Sequence, residues 1–409
     1  MNCDIILTMK TIVEINGINY SSTGHIMNNI AKTAREEGFN VYTSCRKSIA
    51  GMKFKYPNQL YVGTWLDRVI SERLSYLFGL NGSFNVINTL LYLNKLNKIK
   101  PDLIHIHNLC DNYINVSMLF KYIIKHNIPV IWTLHDPWAF TGRCNGYSCD
   151  KWKEGCGNCP KLSAYPPTLF IDNSKNTLLK RKKLYTSVKN LTIVTPSKWL
   201  ADLAKLSLFR DKYDIKVINN GINLDIFKPI ESDFKKEHNI EDKYLILGLA
   251  YDWNDNRKGL TDFISLSKSL PTNYQILLVG TNDEIDSKLP KNIISIHRTY
   301  NQEELAKTYT AADVFVSPTK ADNFPTVNIE ALACGTPVIT YDAGGSKESL
   351  NETCGAYVKI NDIENLQKEI IKACEEKPYP KENCIKQSIQ YNMYDKFQEY
   401  VELYKKTLS

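Results

Sequence analysis

The chain has 409 residues, of which 43% are hydrophobic. It is too long for a domain with one ordinary hydrophobic core and is expected to form two domains. No apolar run approaches the roughly 18–20 residues of a membrane span, and the N-terminus lacks the ordered regions of a signal peptide, so a cytoplasmic protein is expected. The net charge is +7, but there is no basic strip with interleaved aromatic residues, which disfavours nucleic acid as a partner and favours anionic substrates and an anionic membrane surface.

Short apolar runs alternate with helical patterns along the first half of the chain. Residues 5–15 predict a first strand, for which Met9 is as plausible a start of the protein as Met1. A helical pattern follows over 25–39, and further strands are predicted at 103–108 and 130–135. This alternation predicts a doubly wound α/β fold.

Two residues of this half are candidates for function, each with a structural alternative. Gly24 lies between the first strand and the following helix, where a missing side chain lets backbone approach a phosphate or an acceptor, or simply forms a turn. His135 ends a predicted strand, where a histidine is either a hydrogen-bonded core residue or part of a site.

The chain contains eleven cysteines, and the missing export signal argues against a disulfide framework. Four of the cysteines form a C-x4-C-x6-C-x2-C arrangement: Cys144, Cys149, Cys156 and Cys159. The loop that holds them is rich in Gly and Asn and has little to bury, so a structural Zn²⁺ would help it fold. Free thiols, or a disulfide formed after purification, are the alternatives.

The second half repeats the alternation, after a break near 219–229 that suggests a hinge. Arg257 and Lys258 precede Gly259 at the start of a predicted helix that follows the strand at 244–251. Two cations at this place suit a phosphate clamp, whereas the alternative is a solvated surface pair.

Residues 318–348 are the most informative segment. Asp322 lies in a loop before a short predicted helix over 326–334, and Glu330 lies within that helix. Pro325 suits the first helical turn, and Gly335 suits the left-handed position that ends the helix. The helix N-terminus is a ready anion site, and the Glu330 carboxylate could accept hydrogen bonds from ribose hydroxyls. The alternative is a buried α/β crossover with an incidental acid.

This segment resembles the signature of the retaining GT-B glycosyltransferases of the GT4 type, in which an acid and a Glu are separated by seven residues and followed by AL-A-C-G-T-P. Further matches occur in the order that the family requires. They are SSTGH (21–25), HIHN (105–108), TLHDPWAFTG (133–142), TPSKWLA (195–201), NNGINLDIFKP (219–229) and RKGL (257–260). The WAFTG and Cys-rich insert resembles a subgroup that assembles capsule, O-antigen or exopolysaccharide.

The resemblance implies a GT-B fold of two facing Rossmann-like domains. The expected parts are an acceptor-binding domain over 1–218, a hinge over 219–230 and a donor-binding domain over 231–385. A C-terminal helix over 386–409 is expected to pack back on the first domain.

The resemblance also implies the chemistry, which is transfer of a hexose or N-acetylhexosamine from a UDP- or GDP-sugar with retention and without a catalytic cofactor. Lys258 and Arg257 would hold the diphosphate, His135 and Asp322 the donor sugar, and Glu330 the ribose. The implied further donor contacts are Gly24, Asn323, Phe324, Pro325, Thr326 and Val327. The chain departs from many relatives at Asp252, where they carry Arg, and at Asp322, where they carry Glu.

The acceptor cannot be read from the sequence. Residues 65–80 and 178–189 combine apolar and basic residues, and in relatives such segments face a lipid-linked acceptor at the inner face of the plasma membrane; helices packed on the core are the alternative. Two other functions stay open: a non-catalytic GT-B scaffold, and a nucleotide-sugar epimerase or phosphorylase of the same fold.

Overall fold

The computed structural model describes residues 9–147 and 149–409, so the predicted strand residues 5–8 lie outside the described part. The chain divides into two compact units. Unit 1 extends to Ile218 and also contains Phe397–Ser409, and unit 2 comprises Asn219–Lys396. Residues 219–230, predicted as a hinge, therefore belong to unit 2.

Unit 1 is built on a parallel sheet whose strands are β1 (Thr11–Ile15), β2 (Asn40–Arg46), β3 (Gln59–Val62), β4 (Leu103–Ile106), β5 (Val130–Thr133), β6 (Leu191–Thr195) and β7 (Ile215–Val217). Their spatial order is β3-β2-β1-β4-β5-β6-β7. Strands β4 and β5 are buried at every residue, because helices cover both faces of the sheet. The helices are α1 (Ser21–Glu36), α2 (Ile49–Met52), α3 (Trp65–Phe78), α4 (Val86–Ile99), α5 (Val116–His126), α6 (Ser174–Tyr185) and α7 (Lys198–Lys205).

Unit 2 has a second parallel sheet of β8 (Tyr244–Leu249), β9 (Tyr274–Val279), β10 (Ile293–Ile296), β11 (Val314–Ser317), β12 (Val338–Tyr341) and β13 (Gly355–Val358). The order is β10-β9-β8-β11-β12-β13. Its helices are α8 (Phe234–Glu237), α9 (Leu260–Ser269), α10 (Asp283–Asp286), α11 (Gln302–Ala311), α12 (Thr326–Ala333), α13 (Ile363–Glu375) and α14 (Lys381–Ile389). The predicted doubly wound α/β organisation is confirmed in both units.

The C-terminal stretch differs from the single helix predicted over 386–409. It holds the end of α14 and a separate helix, α15 (Met393–Leu408). The backbone of Ile222 causes the break, because its N–H donates to the Tyr391 carbonyl at 2.9 Å and its carbonyl accepts from the Met393 N–H at 2.9 Å. From Phe397 onward α15 belongs to unit 1, where Tyr400, Val401 and Tyr404 are buried.

Short 3-10 helices at Pro137–Phe140, Lys151–Glu154, Asn256–Lys258 and Ser346–Ser349 complete the described structure. None of the described helices combines the length and apolar composition that a membrane crossing needs.

Candidate active site

The topology of each sheet predicts where a ligand binds. In unit 2 the strand order reverses direction between β8 and β11, and in unit 1 between β1 and β4. In open α/β sheets, ligands bind beyond the carboxyl ends of strands at such a switch point. The residues that follow β8 and β11, and those that follow β1 and β4, are therefore the first candidates for a ligand site.

In unit 2 the switch point brings Lys258 and Asp322 together. Lys258 ends the 3-10 helix after β8, and Asp322 lies in the loop after β11. The Lys258 Nζ lies 2.9 Å from Asp322 Oδ2, with 31% and 24% of these side chains exposed. The pair thus remains accessible, and an anionic ligand could replace Asp322 as the partner of the Lys258 ammonium.

Local turn chemistry fixes Lys258 in this position. The Asp255 carboxylate caps the 3-10 helix by accepting from the Arg257 N–H at 3.0 Å. Gly259 has φ +78°, and a Cβ there would lie 2.5 Å from the Pro318 carbonyl oxygen, so only glycine fits. The predicted helix start after Gly259 is confirmed by α9.

The structure pairs Arg257 with a carboxylate. Its Nε and Nη2 donate to both oxygens of Asp255 at 2.7–3.1 Å, and 45% of the side chain is exposed. A phosphate would have to compete with this bidentate partner. Lys258 is therefore the better placed of the two predicted phosphate ligands.

Helix α12 holds Glu330. The helix begins at Thr326, so the prediction that Pro325 lies in the first turn is wrong by one residue: Pro325 is the N-cap and offers no side-chain cap. Gly335, with φ +83°, ends the helix as predicted. Glu330 Oε2 accepts from the Tyr309 hydroxyl at 3.1 Å. Burial raises the pKa of the Glu330 carboxyl to about 7.

The predicted donor contacts between Asp322 and Glu330 fall into two groups. Asn323, Phe324 and Pro325 are buried, and the Phe324 ring packs against Tyr391. The side chains of Thr326 and Val327 are partly exposed at the start of α12. The first group thus shapes the loop, and the second borders the N–H groups of the helix terminus.

In unit 1, Gly24 lies inside the first turn of α1 and not before the helix as expected. It is buried, and a Cβ would lie 2.6 Å from the backbone carbonyl carbon of Asn19. The Asn28 side chain donates to both the Gly24 and Asn19 carbonyls, at 2.7 and 3.1 Å. The close backbone approach at Gly24 is therefore to its own loop.

His135 follows β5 and is partly exposed at the carboxyl edge of the unit 1 sheet. Its Nε2 lies 3.1 Å from His107 Nδ1, and His107 Nε2 lies 3.3 Å from Glu14 Oε2. Glu14, His107 and His135 thus form a hydrogen-bonded series that runs from the buried centre of the sheet to its edge. The proton on His107 decides which ring nitrogen of His135 can donate.

A second branch of hydrogen bonds holds Glu14. Glu14 and His105 are aligned in the register of β1 and β4. The Tyr404 hydroxyl lies 3.2 Å from Glu14 Oε1 and 2.6 Å from His105 Nδ1, and His105 Nε2 lies 2.8 Å from Thr133 Oγ1. Helix α15 thus supplies a polar group to the centre of the unit 1 sheet.

The electrostatics of this network keep the histidines neutral. Burial lowers the pKa of His135 and that of His107 to about 3, and raises the pKa of Glu14 well above its ordinary value. At neutral pH His135 can thus orient a ligand by hydrogen bonding without contributing a charge. Sequence reasoning missed Glu14 and His107. An acid inside an apolar strand and the HIH alternation of β4 were the available signals.

The four clustered cysteines line one small cavity together with Trp152, but no three of their sulfur atoms lie within 4.8 Å of one another. Burial and the neighbouring thiols raise the pKa of Cys156 to about 11. The Lys151 N–H donates to Cys149 Sγ at 3.4 Å, and Arg143 Nη1 lies 3.8 Å from Cys159 Sγ. These donors would offset thiolate charge around a bound Zn²⁺, but the sulfur atoms would have to move closer together to form a tetrahedral site.

The sequence of both units matches known protein families. Residues 25–226 match the family described as Glycosyltransferase Family 4, and residues 230–391 match Glycosyl transferases group 1. Together the two matches include most of both units, and the predicted resemblance is confirmed.

Known relatives agree with this assignment. The chain is similar to the putative colanic acid biosynthesis glycosyl transferase WcaC of Escherichia coli K12, with 26% identity over 296 residues and 70% of each chain covered. It is also similar to the N,N'-diacetylbacillosaminyl-diphospho-undecaprenol alpha-1,3-N-acetylgalactosaminyltransferase of Campylobacter jejuni, with 27% identity over 202 residues, 46% of this chain and 53% of that protein. Anabaena Alr3699/HepE in complex with UDP-glucose shares the fold, with a TM-score of 0.69 at 14% identity over 97% of this chain and 99% of that one.

Proposed function

Because this chain belongs to the GT4-type GT-B glycosyltransferases, we propose that it transfers a sugar with retention from a nucleotide-sugar to a lipid-linked glycan acceptor in surface polysaccharide assembly. One observation carries the proposal: Lys258 and Asp322 meet at the switch point of unit 2, where a ligand is expected. The Campylobacter relative, whose name specifies a diphospho-undecaprenol acceptor, supports the acceptor class, and the UDP-glucose complex of HepE supports a UDP-sugar donor.

The proposed roles follow from charge. A nucleoside diphosphate leaves with growing negative charge, which the Lys258 ammonium and the uncapped N–H groups of α12 would meet. Asp322, released from Lys258, would then accept hydrogen bonds from the transferred sugar, and Glu330 would accept them from the ribose. His135, oriented through His107 and Glu14, would hydrogen-bond the donor sugar, as the family resemblance implies.

The test is a nucleotide-release screen of UDP-, GDP-, ADP- and dTDP-sugars with lipid-linked acceptor extracts. We expect one donor to release its nucleotide in step with product formation, and NMR of the product to show the anomeric configuration of the donor. Nucleotide binding without transfer to any extract would favour the scaffold, and an inverted product would exclude the retaining mechanism.

We further propose that Cys144, Cys149, Cys156 and Cys159 hold one structural zinc. Metal analysis of untagged protein should find close to one zinc per chain, and strong chelation should expose the 144–159 loop to protease, because binding of a structural metal is coupled to folding. Cys374, a buried cysteine of unit 2, gives the control: Cys374→Ala should keep the zinc, whereas Cys156→Ala should lose most of it. Four freely titrating thiols in metal-free protein with an unchanged cleavage pattern would contradict the zinc site.

A further inference from the structure

A cavity with a charged lining lies in unit 1, outside the network of Glu14, His107 and His135. It has a volume of about 320 Å³, within the range of small-molecule sites. Arg46, the last residue of β2, and Asp111, which follows β4, lie on one side, and α3 supplies Arg68, Glu72 and Arg73. The cavity is therefore at the carboxyl edge of the unit 1 sheet, the same edge that carries His135.

The lining is cationic. Three guanidinium groups face two carboxylates, and each carboxylate is already used: Arg46 Nη1 lies 3.3 Å from Asp111, and Arg68 Nη1 lies 2.9 Å from Glu72. No carboxylate of the described residues lies within ion-pair distance of Arg73. One positive charge thus remains available to a ligand.

Arg46 also has an unused donor. Its Nε–H is buried and meets no acceptor among the described residues, although 19% of the side chain faces solvent. A buried donor without a partner costs free energy, and most such groups in folded proteins are satisfied. An anion with several acceptor oxygens would satisfy this donor, and phosphate fits the planar guanidinium particularly well.

Exposed apolar side chains lie on the two segments that form the cavity wall. On α3, Leu66, Ile70 and Leu77 are exposed and lie seven, three and four positions from Arg73, which places them beside Arg73 on the surface of the helix. The segment that continues from the cavity wall at Pro167 exposes Leu169, Phe170 and Ile171, and the Leu169 N–H is tied to the Tyr76 carbonyl at 2.9 Å. A phosphate pocket beside an apolar surface suits a ligand with an anionic group joined to a hydrocarbon chain.

We propose that this cavity binds the diphosphate of the lipid-linked acceptor, with the lipid chain on the neighbouring apolar surface of α3 and residues 169–171. The inference rests on the proposed function for the identity of the ligand as an acceptor. It adds the residues that select the acceptor: Arg46 and Arg73 bind the diphosphate, and Arg68 lines the opening.

The test measures binding of farnesyl diphosphate to the full chain in excess UDP, which keeps the diphosphate out of the donor site. Arg73→Gln, at an exposed helix position, and Arg46→Gln should each weaken binding about tenfold or more. The control Arg210→Gln, which removes an exposed arginine paired with Asp211, should leave it unchanged. Affinities of both cavity variants within twofold of wild type would overturn the proposal.

Two further probes separate the possible sources of the phosphate. Inorganic pyrophosphate should bind more weakly than farnesyl diphosphate, and equal affinity would overturn the lipid part of the proposal. Phosphatidylglycerol vesicles should bind wild type and Arg73→Gln with equal affinity. If Arg73→Gln instead lost affinity for vesicles as much as for farnesyl diphosphate, the cavity would be a lipid headgroup site and the proposal would be overturned. Failure of UDP itself to bind would count against the proposed function. The effect of Arg73→Gln on the affinity for farnesyl diphosphate would still test whether the cavity binds a lipid diphosphate.

Discussion

Lys258→Ala should lower the turnover of sugar transfer by about a hundred- to a thousandfold, the loss typical of removing one donor that stabilises developing negative charge. The ammonium is the cation that the switch point of unit 2 brings nearest to Asp322, at 2.9 Å. Because the diphosphate gains charge as it leaves, the effect should fall on kcat more than on donor affinity. Steady-state kinetics with the donor identified by the screen would measure both.

The fold should survive this change, since Asp322 is partly exposed and water can replace the lost partner. Lys288→Ala is the matched control, because it removes a lysine of unit 2 that is paired with Glu284 on the exposed surface. Turnover of Lys258→Ala within threefold of Lys288→Ala would remove Lys258 from the site.

Glu330→Gln should weaken binding of free nucleotide and intact donor alike, and should abolish a pH dependence of donor affinity. In the empty enzyme burial raises the pKa of Glu330 to about 7. The ionised carboxylate accepts stronger hydrogen bonds from ribose hydroxyls, so wild-type affinity should rise between about pH 6 and pH 8. Calorimetry at these pH values with an intact nucleotide-sugar, whose esterified diphosphate does not titrate there, would detect the difference.

Stability supplies an independent check on the same carboxyl. Its pKa in the folded chain lies above the ordinary value of 4.5, so the unfolded state ionises first and wild type should lose stability as pH rises from about 4.5 through about 7. Glu330→Gln removes this loss, and its melting temperature relative to wild type should therefore be higher at about pH 8 than at about pH 4. A wild-type affinity that does not change with pH, together with equal donor binding by the variant, would contradict the ribose role.

Asp322→Asn distinguishes the two acids. Free nucleotide carries no transferred sugar, so this substitution should spare nucleotide binding while lowering turnover with the donor. Because Lys258 loses its carboxylate partner in this variant, nucleotide affinity is expected to stay the same or to increase. Loss of nucleotide affinity comparable to that of Glu330→Gln would show that the two acids do not have separate roles.

The sequence by itself determined the fold class and the placement of the unit 2 residues. These depend on local rules: apolar strands alternate with helical patterns, Gly259 and Gly335 take left-handed conformations at element ends, and α12 begins directly after Pro325. The local pattern is therefore sufficient to locate residues at or near such ends, including Lys258, Asp322 and Glu330. It is not sufficient for boundaries that depend on other parts of the chain, such as the break between α14 and α15 opposite Ile222.

Only the tertiary structure decided which side chains meet. Lys258 and Asp322 are 64 positions apart, and His107 joins Glu14 to His135 across three neighbouring strands. The cavity at Arg46 likewise combines the end of β2, the loop after β4 and a face of α3. Strand order brings these residues together, and that order is set by the packing of the whole sheet, which local sequence patterns do not encode.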